Sequence, residues 1–425
     1  MTQQSTGPAP ELADADFAVD ARQANGLTEA AQTYLNRIRG GDMGALPATL
    51  GLAVLFLVFS IASDRFLIPL NLANLIVQAG AICVLAMGLV PVLLLGDIDL
   101  SAGVAGGVSA AITALAIVDH GQHWSVAVLA GVLSGAVMGV LIGILVAKLG
   151  IPSFVVTLAF FLGLQGVSLK LIGDGGSVRV ADPVIRGITI DNLPVVAGWV
   201  VAVAVIALYA ALALNKHRIQ VRRGLQHLPL SVVLLKIGGL AVVALGVTAI
   251  LNVNRSRNPN FPIEGVPYVL PVVIVLLVFW TFVLTRTRYG RHVYAVGGNR
   301  EAARRAGINV DRIRVSVFVI CSSMAALSGI IAASTAGKVS PSSGAGNTLL
   351  YAVGAAVIGG TSLFGGKGKA RDAVIGGLVI ATIANGLGLL NQASWINYVV
   401  TGTVLLLAAS VDALSRRRRS SVGVG

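Results

Sequence analysis

The residues of this chain best placed to do chemistry are two carboxylates, Asp97 and Asp99, in the run GDIDLSAG at 96–103. Apolar stretches flank the run on both sides. A carboxylate at bilayer depth costs roughly 2.5–3.5 kcal/mol on insertion scales, so a submerged one has a function by default. Gly96 precedes the pair and Ser101 follows it, which predicts a segment that ends, turns and restarts. Asp99 or Ser101 then stands where it can cap a helix beginning at Ala102. One reading is a capped turn at the membrane surface. The other is a broken backbone whose carboxylates and Ser101 line a transport pathway. The spacing alone leaves both open.

Other polar groups inside apolar runs are Thr157, Ser168, Gln165, Asn385, Asn391 and Gln392. Amide side chains bind hydroxyl-rich solutes through paired donors and acceptors, but they also bridge helices in membranes, and bridging is the commoner use. Thr157, Gln165 and Asn385 join Asp97, Asp99 and Ser101 as candidate pathway residues. Cys83 and Cys321 lie in apolar runs without metal-ligand spacing and read as small core residues, so no metal site is expected. GGTSLFGGKG (359–368) comes close to a phosphate-binding loop, but Lys367 is followed by Gly368 where Ser or Thr is required. No cofactor is therefore expected on this chain, and ATP-driven work falls to a partner. The same segment echoes GDIDLSAG in composition and position, which suggests two related halves.

The elements that must hold these groups follow from composition. Hydrophobic residues make up 56% of the chain and charged residues 12%, against about 25% charged in an ordinary soluble domain. The predicted fold is all-α and polytopic, with about twelve spans near 48–64, 72–95, 101–118, 125–147, 153–172, 194–214, 228–251, 268–285, 315–336, 347–364, 371–391 and 395–413. The run 347–364 is short and Gly-rich and reads as re-entrant. Gly131, Gly135, Gly139 and Gly143 repeat every four residues and predict a close helix contact within the subunit. Gly377, Ala381, Ala384 and Gly388 form a second small-residue stripe. Residues 1–45 form a polar, disordered segment, with a surface helix expected over Leu27–Arg39, and no cleavable signal peptide precedes the first apolar run near Ala48. The permease domain then covers 46–415, and 416–425 is a basic tail.

Charge orients the spans. With the N-terminus inside, the basic loops 215–227 and 286–314, Lys148, the KGKAR segment and the tail Arg416–Arg419 all fall on the cytoplasmic side. The net charge of +13 thus reads as orientation charge beside anionic lipid, and not as nucleic-acid binding. The segments left outside are poorer in cations, among them Arg255, Arg257 and Lys338. Of these, 173–194 reads as turns with short extended pieces and 252–267 as irregular. The basic interruption Thr285–Arg314 holds Gly297-Gly298, then Asn299 as an N-cap, then REAARRAG ended by Gly307. A short capped helix held between spans suits docking of a soluble partner.

Four motifs in order, GDIDLSAG (96–103), IPSFVVTLAFFLGLQG (151–166), RYGRHVYAVGGNREAARRAGINVDRIR (288–314) and VIGGTSLFGGKG (357–368), resemble the permease subunits of bacterial ABC sugar importers in the ribose/xylose branch of the branched-chain-type permease family. The resemblance runs from about residue 50 to 415 and is nearest the D-xylose subtype. The family core has about ten spans, so a pair within 194–285 is additional. Asp97 stands where relatives often carry Gly. The resemblance implies a permease homodimer in the bacterial inner membrane, two cytoplasmic ATP-binding subunits that carry the ATP, and an extracytoplasmic sugar-binding protein. It makes Gly297, Gly298, Asn299, Glu301, Ala302, Arg304, Arg305 and Gly307 the ATPase-coupling element. Charge pairing would fall to Glu301, Arg304 and Arg305, and close approach to Ala302, Ala303 and Ala306. Two rivals remain. One is an ion-coupled secondary transporter using Asp97 or Asp99. The other is an intramembrane aspartyl protease, which lacks a facing second carboxylate because Asp372 and Asp412 sit at helix ends.

Overall fold

The computed structural model describes residues 44–421 apart from 226, 257 and 259. The expected surface helix at Leu27–Arg39, nearly all of the N-terminal segment, Arg257 and the side chains of Arg416–Arg419 lie outside the described residues. Twelve long or apolar helices follow the expected runs. They are α1 (Leu46–Ala62), α2 (Pro69–Leu94), α3 (Ala102–Val118), α4 (Trp124–Ala147), α5 (Ser153–Ile172), α7 (Val195–Arg222), α8 (Leu230–Leu251), α9 (Val269–Arg286), α12 (Val310–Ala336), α13 (Thr348–Ile358), α14 (Ala370–Leu389) and α15 (Ser394–Ser421). Three short helices lie between them: α6 (Pro183–Ile190), α10 (Arg288–Gly298) and α11 (Arg300–Arg305). Among the described residues, eight helices are long and apolar enough to cross a membrane. The chain is an all-α polytopic membrane protein.

The chain divides into two compact units, Met43–Gly198 with Ile250–Gly425, and, among the described residues, Trp199–Ala249. The smaller unit holds most of α7 and α8, the pair expected from the resemblance as additional. Large apolar side chains on both helices, such as Val200, Val203, Leu235 and Val242, are exposed.

In the larger unit α12 is the central element, packed against α2, α3 and α4. The glycine stripe of α4 makes this contact. A side chain at Gly135 would meet the Ser322 carbonyl, one at Gly139 the Phe318 carbonyl, and one at Gly143 the Val315 backbone, while Gly131 faces Thr113 and Ser109 of α3. Backbone cannot yield as a rotamer can, so small residues fix this register.

Two crossings of the larger unit are interrupted by non-helical backbone. One runs through the non-helical residues 95–101 and then α3. The other leaves α12 at Gly337, descends without helix through 340–347, and continues as α13, whose 11 residues span about 16 Å. That is half of the roughly 30 Å hydrocarbon core, so the run expected over 347–364 is a short helix followed by the non-helical residues 359–364. The two broken crossings touch: side chains at Gly103 and Gly107 would strike the Gly344 and Ser343 carbonyls.

At the end of the bundle away from residues 95–97, β1 (Val178–Arg179) pairs antiparallel with β4 (Lys338–Val339), and β2 (Asn192–Leu193) with β3 (Val266–Pro267). The segment expected as turns and extended pieces also contains α6. Its signals are Asp182, whose carboxylate accepts from the Val184 and Ile185 amides at 2.9 and 3.1 Å, and Pro183 at the first helical position. The segment expected as irregular supplies β3 and Arg255, whose guanidinium donates to the Leu251 and Gly265 carbonyls and to Asn192 Oδ1 at 3.0 Å. Burial pushes this guanidinium below its ordinary range, with Glu264 opposing the shift.

Candidate functional site: a capped outer helix tied to a broken crossing

The polar interruption after α9 folds as two helices, where the residues suggested one. Thr287 caps α10, its hydroxyl accepting from the Gly290 amide at 3.1 Å. Gly297 and Gly298 therefore close α10 and do not merely precede α11. Asn299 is the N-cap of α11, its side chain accepting from the Ala302 amide at 2.9 Å, and Gly307, at a φ of 82°, lets the chain turn after it. Asn309 repeats the device for α12, accepting from the Arg312 amide at 3.0 Å.

On α11 the side chains divide. Glu301, Ala302, Arg304, Arg305 and Ala306 are exposed. Ala303, expected with the other alanines to allow close approach of a partner, turns inward and is 3% exposed. Glu301 pairs within the helix with Arg304 at 3.6 Å and Arg305 at 3.2 Å. Such exposed pairs stabilise by well under 1 kcal/mol, so their charges are cheaply re-partnered.

The inner face of α10 and α11 is bound to the rest of the unit. A side chain on Gly297 would strike the Leu94 carbonyl, at the end of α2, and the same carbonyl accepts from the Gly366 amide at 2.8 Å. Tyr294 donates its hydroxyl to the Gly368 carbonyl at 2.6 Å, and Tyr289 shares a 2.9 Å hydrogen bond with Ser316 of α12. Burial pushes the Tyr289 phenol up to about 12 and the Tyr294 phenol upward as well, so both stay protonated donors. GGTSLFGGKG thus lies beside GDIDLSAG, with Gly96 against the Phe364 carbonyl.

Asp97 joins these pieces. Its carboxylate is 6% exposed and takes a bidentate fork from Arg314 of α12, with both N–O distances at 3.1 Å. Arg300, the first residue of α11, reaches the same carboxylate at 3.2 Å and donates to the Leu95 carbonyl at 2.8 Å. Arg314 also donates to the Val146 carbonyl at 3.1 Å. Fork geometry of this kind is stronger and more directional than a point-charge contact. Neither arginine stood out in the sequence, where both counted only as orientation charge. The signal available was Asp97 itself, a carboxylate at a span boundary that needs a cation, with Arg314 at the start of the apolar run 315–336.

Two residues on, Asp99 is fully buried beside Cys321. Its Oδ1 accepts from the Ser101 amide at 2.9 Å and from the Ser101 hydroxyl at 2.6 Å, so Ser101 occupies the N-cap position of α3 but turns its hydroxyl back to Asp99. Oδ2 is buried without a hydrogen-bond partner among the described residues. Cys321 lies seven residues along α12 from Arg314, about 10 Å at helical rise. The GDIDLS segment thus enters the bundle and is not a turn at its surface. Thr157 is its neighbour, with the hydroxyl donating to the Ser153 carbonyl at 2.8 Å and reaching the Ile98 carbonyl at 3.4 Å. Gln165 lies further along α5 and is half-buried. Asn385 is elsewhere: it exchanges two 2.9 Å hydrogen bonds with Asn71, a reciprocal amide bridge between α14 and α2. Among the described residues, no three His, Cys, Asp or Glu side chains are grouped to hold a metal.

The family model described as "Branched-chain amino acid transport system / permease component" matches residues 71–409. The chain belongs to this permease family. Among relatives, this permease is 33% identical over 375 residues to the "Xylose transport system permease protein XylH" of Haemophilus influenzae, covering 87% of this chain and 96% of the relative. The Escherichia coli K12 protein of the same name is 33% identical over 366 residues, covering 86% and 90%. The "Ribose import permease protein RbsC" of Escherichia coli K12 is 32% identical over 364 residues, covering 85% and 92%. No solved structure matches the permease significantly. It is a multi-pass transport subunit of the inner membrane and not an enzyme.

Proposed function

We propose that this permease is the membrane-spanning subunit of an ATP-driven, binding-protein-dependent sugar importer, carrying a monosaccharide, D-xylose by preference, into the cytoplasm by alternating access. The observation that carries the reading is α11, a capped, outward-facing helix whose base is tied through Arg300 to a broken crossing. A helix so placed receives force from a partner and passes it inward. The names of the relatives, xylose and ribose permeases, support a pentose. In this reading the end bearing α10 and α11 is cytoplasmic, as its arginines require, and both termini lie on that side. Two permease chains meet two ATP-binding subunits, which hold the ATP, and an extracytoplasmic protein delivers the sugar. This chain binds no cofactor. On α11, Asn299 and Gly307 shape the helix while Glu301, Ala302, Arg304 and Arg305 meet the ATPase. Asp99, Ser101 and Thr157 border the pathway.

Co-purification with the ATP-binding subunit tests the reading. Glu301→Lys with Arg304→Glu, which reverses charges on the exposed face, is expected to abolish both association and uptake of labelled D-xylose. Survival of both overturns the assignment of α11. An uncoupler that stops uptake while loss of the ATPase does not would favour the ion-coupled alternative, which would have to rest on Asp99, because Asp97 is already held by two arginines.

A further inference from the structure

Asp97 is bonded to a helix that faces outward and to one that runs the length of the bundle, and it sits two residues from a buried carboxylate. We infer that Asp97 is a positioning residue of the transport cycle: held between Arg300 of α11 and Arg314 of α12, it carries displacement of the docking helix to the Asp99 segment. The inference rests on the docking role proposed for α11 and adds the route by which that docking acts.

Three observations carry it. First, the link is short and stiff. Arg300 is the first residue of α11, and its guanidinium holds both the Asp97 carboxylate at 3.2 Å and the Leu95 carbonyl at 2.8 Å, so two points of the loop move with the helix. Second, α12 supplies a fixed reference. Arg314 is 14% exposed and is pinned to the Val146 carbonyl as well as to Asp97, while the glycine stripe seats α4 on the same helix. Arg300, by contrast, is 43% exposed. Of the two cations on one carboxylate, the outer is movable and the inner is anchored. Third, the loop between Asp97 and α3 has little slack. Ile98 donates its amide to Ser153 Oγ at 3.3 Å and Asp99 is closed onto Ser101, so a shift at residue 97 is transmitted and not absorbed. A point charge on a flexible chain would hold Asp97 less well than the forked guanidinium of Arg314.

Two rival roles are separable. If Asp97 merely held the fold, its loss would lower stability without uncoupling the two ends. If it lined the pathway, its loss would alter sugar transport while leaving nucleotide-driven movement intact.

The native thiol beside Asp99 provides a reporter. The chain has two cysteines, so Cys83→Ala leaves Cys321 as the one thiol, buried against the Asp99 carboxylate. The full chain with its ATP-binding subunit is treated with N-ethylmaleimide in membranes, with and without ATP and vanadate. In this background trapping is expected to change the Cys321 labelling rate at least about tenfold, because a state populated at 0.1–10% becomes the major one. Asp97→Asn and Arg300→Gln are expected to retain the ATPase on purification but to lose the nucleotide-dependent change, with ATP hydrolysis continuing unlinked to uptake, and Asp97→Glu is expected to restore part of the change. Arg300→Gln alters a half-exposed side chain and keeps the test valid if Asp97→Asn does not fold. The inference is overturned if the ATPase co-purifies and both variants keep the change, or if the Cys83→Ala background shows none. Failure of the ATPase to co-purify with the unaltered chain instead overturns the docking role.

Discussion

The two broken crossings interrupt the bundle in the same way and with different chemistry. The first, 95–101 leading into α3, carries two carboxylates and is gripped by arginines from α11 and α12. The second, 340–347 leading into α13, holds itself with neutral hydroxyls: the Ser340 amide donates to Ser343 Oγ at 2.9 Å, and Ser340 and Ser342 share a hydrogen bond at 3.1 Å. They meet where Gly103 and Gly107 face Gly344 and Ser343, backbone on backbone. The contrast separates a segment held by charge from two other helices from one that holds itself and packs against it.

Gly107→Leu attacks both crossings at their contact and should have the largest effect. The new side chain would lie on the Ser343 carbonyl, which has no rotamer to yield. Loss of the monodisperse peak on size-exclusion chromatography is expected, whereas Gly298→Ala, with open space around it, should elute unchanged. Asp97→Ala breaks only the first crossing. It strands two guanidiniums, one of them mostly buried, and should lower stability by about 3 kcal/mol, read as a fall in Tm in detergent. Ser343→Ala strikes the second crossing at the equivalent depth of polar anchoring, and the loss of a neutral hydrogen bond should remove only about 1 kcal/mol. If the two variants destabilise equally, the asymmetry between the crossings is wrong. Glu301→Ala should change stability least, by under about 0.5 kcal/mol, since its ion pairs are exposed, while still weakening retention of the ATPase in a pull-down.

The spans were legible because each is a run of roughly twenty apolar residues, and that length is set by the bilayer. The cap at Asn299 and the turn at Gly307 were legible for the same local reason: their signals lie within the helix they bound. Where the signal was present but outweighed, an element was missed. Asp182-Pro183 announces α6, yet the surrounding glycines and charges read as loop. RYGRHVYAVGG, whose three glycines and two arginines dilute its pattern, gave no expected helix, and it is α10. Of the tie among Asp97, Arg300 and Arg314, only the carboxylate's need for a cation was legible, and not which cations meet it. Asp97 lies some two hundred residues from both arginines, and only the folded register of α12 against α4 and the GDIDLS segment makes them neighbours. Asn385 shows the same limit from the other side: read singly it suits a pathway, and only the opposed Asn71 reveals a bridge.

The clamp formed by β2, β3 and Arg255 has a consequence for the hairpin of α7 and α8. The start of α7 and the end of α8 are held together there: Asn252 Nδ2 approaches the Val195 carbonyl at 3.5 Å, and the Gly265 amide donates to the Leu251 carbonyl at 3.1 Å. A hairpin that departs and rejoins at one point, and crosses an even number of times, leaves every later segment on the side it would otherwise occupy. Segments after α8, α11 among them, therefore keep the side they would have without the hairpin, and α7 and α8 are free to vary without redirecting them.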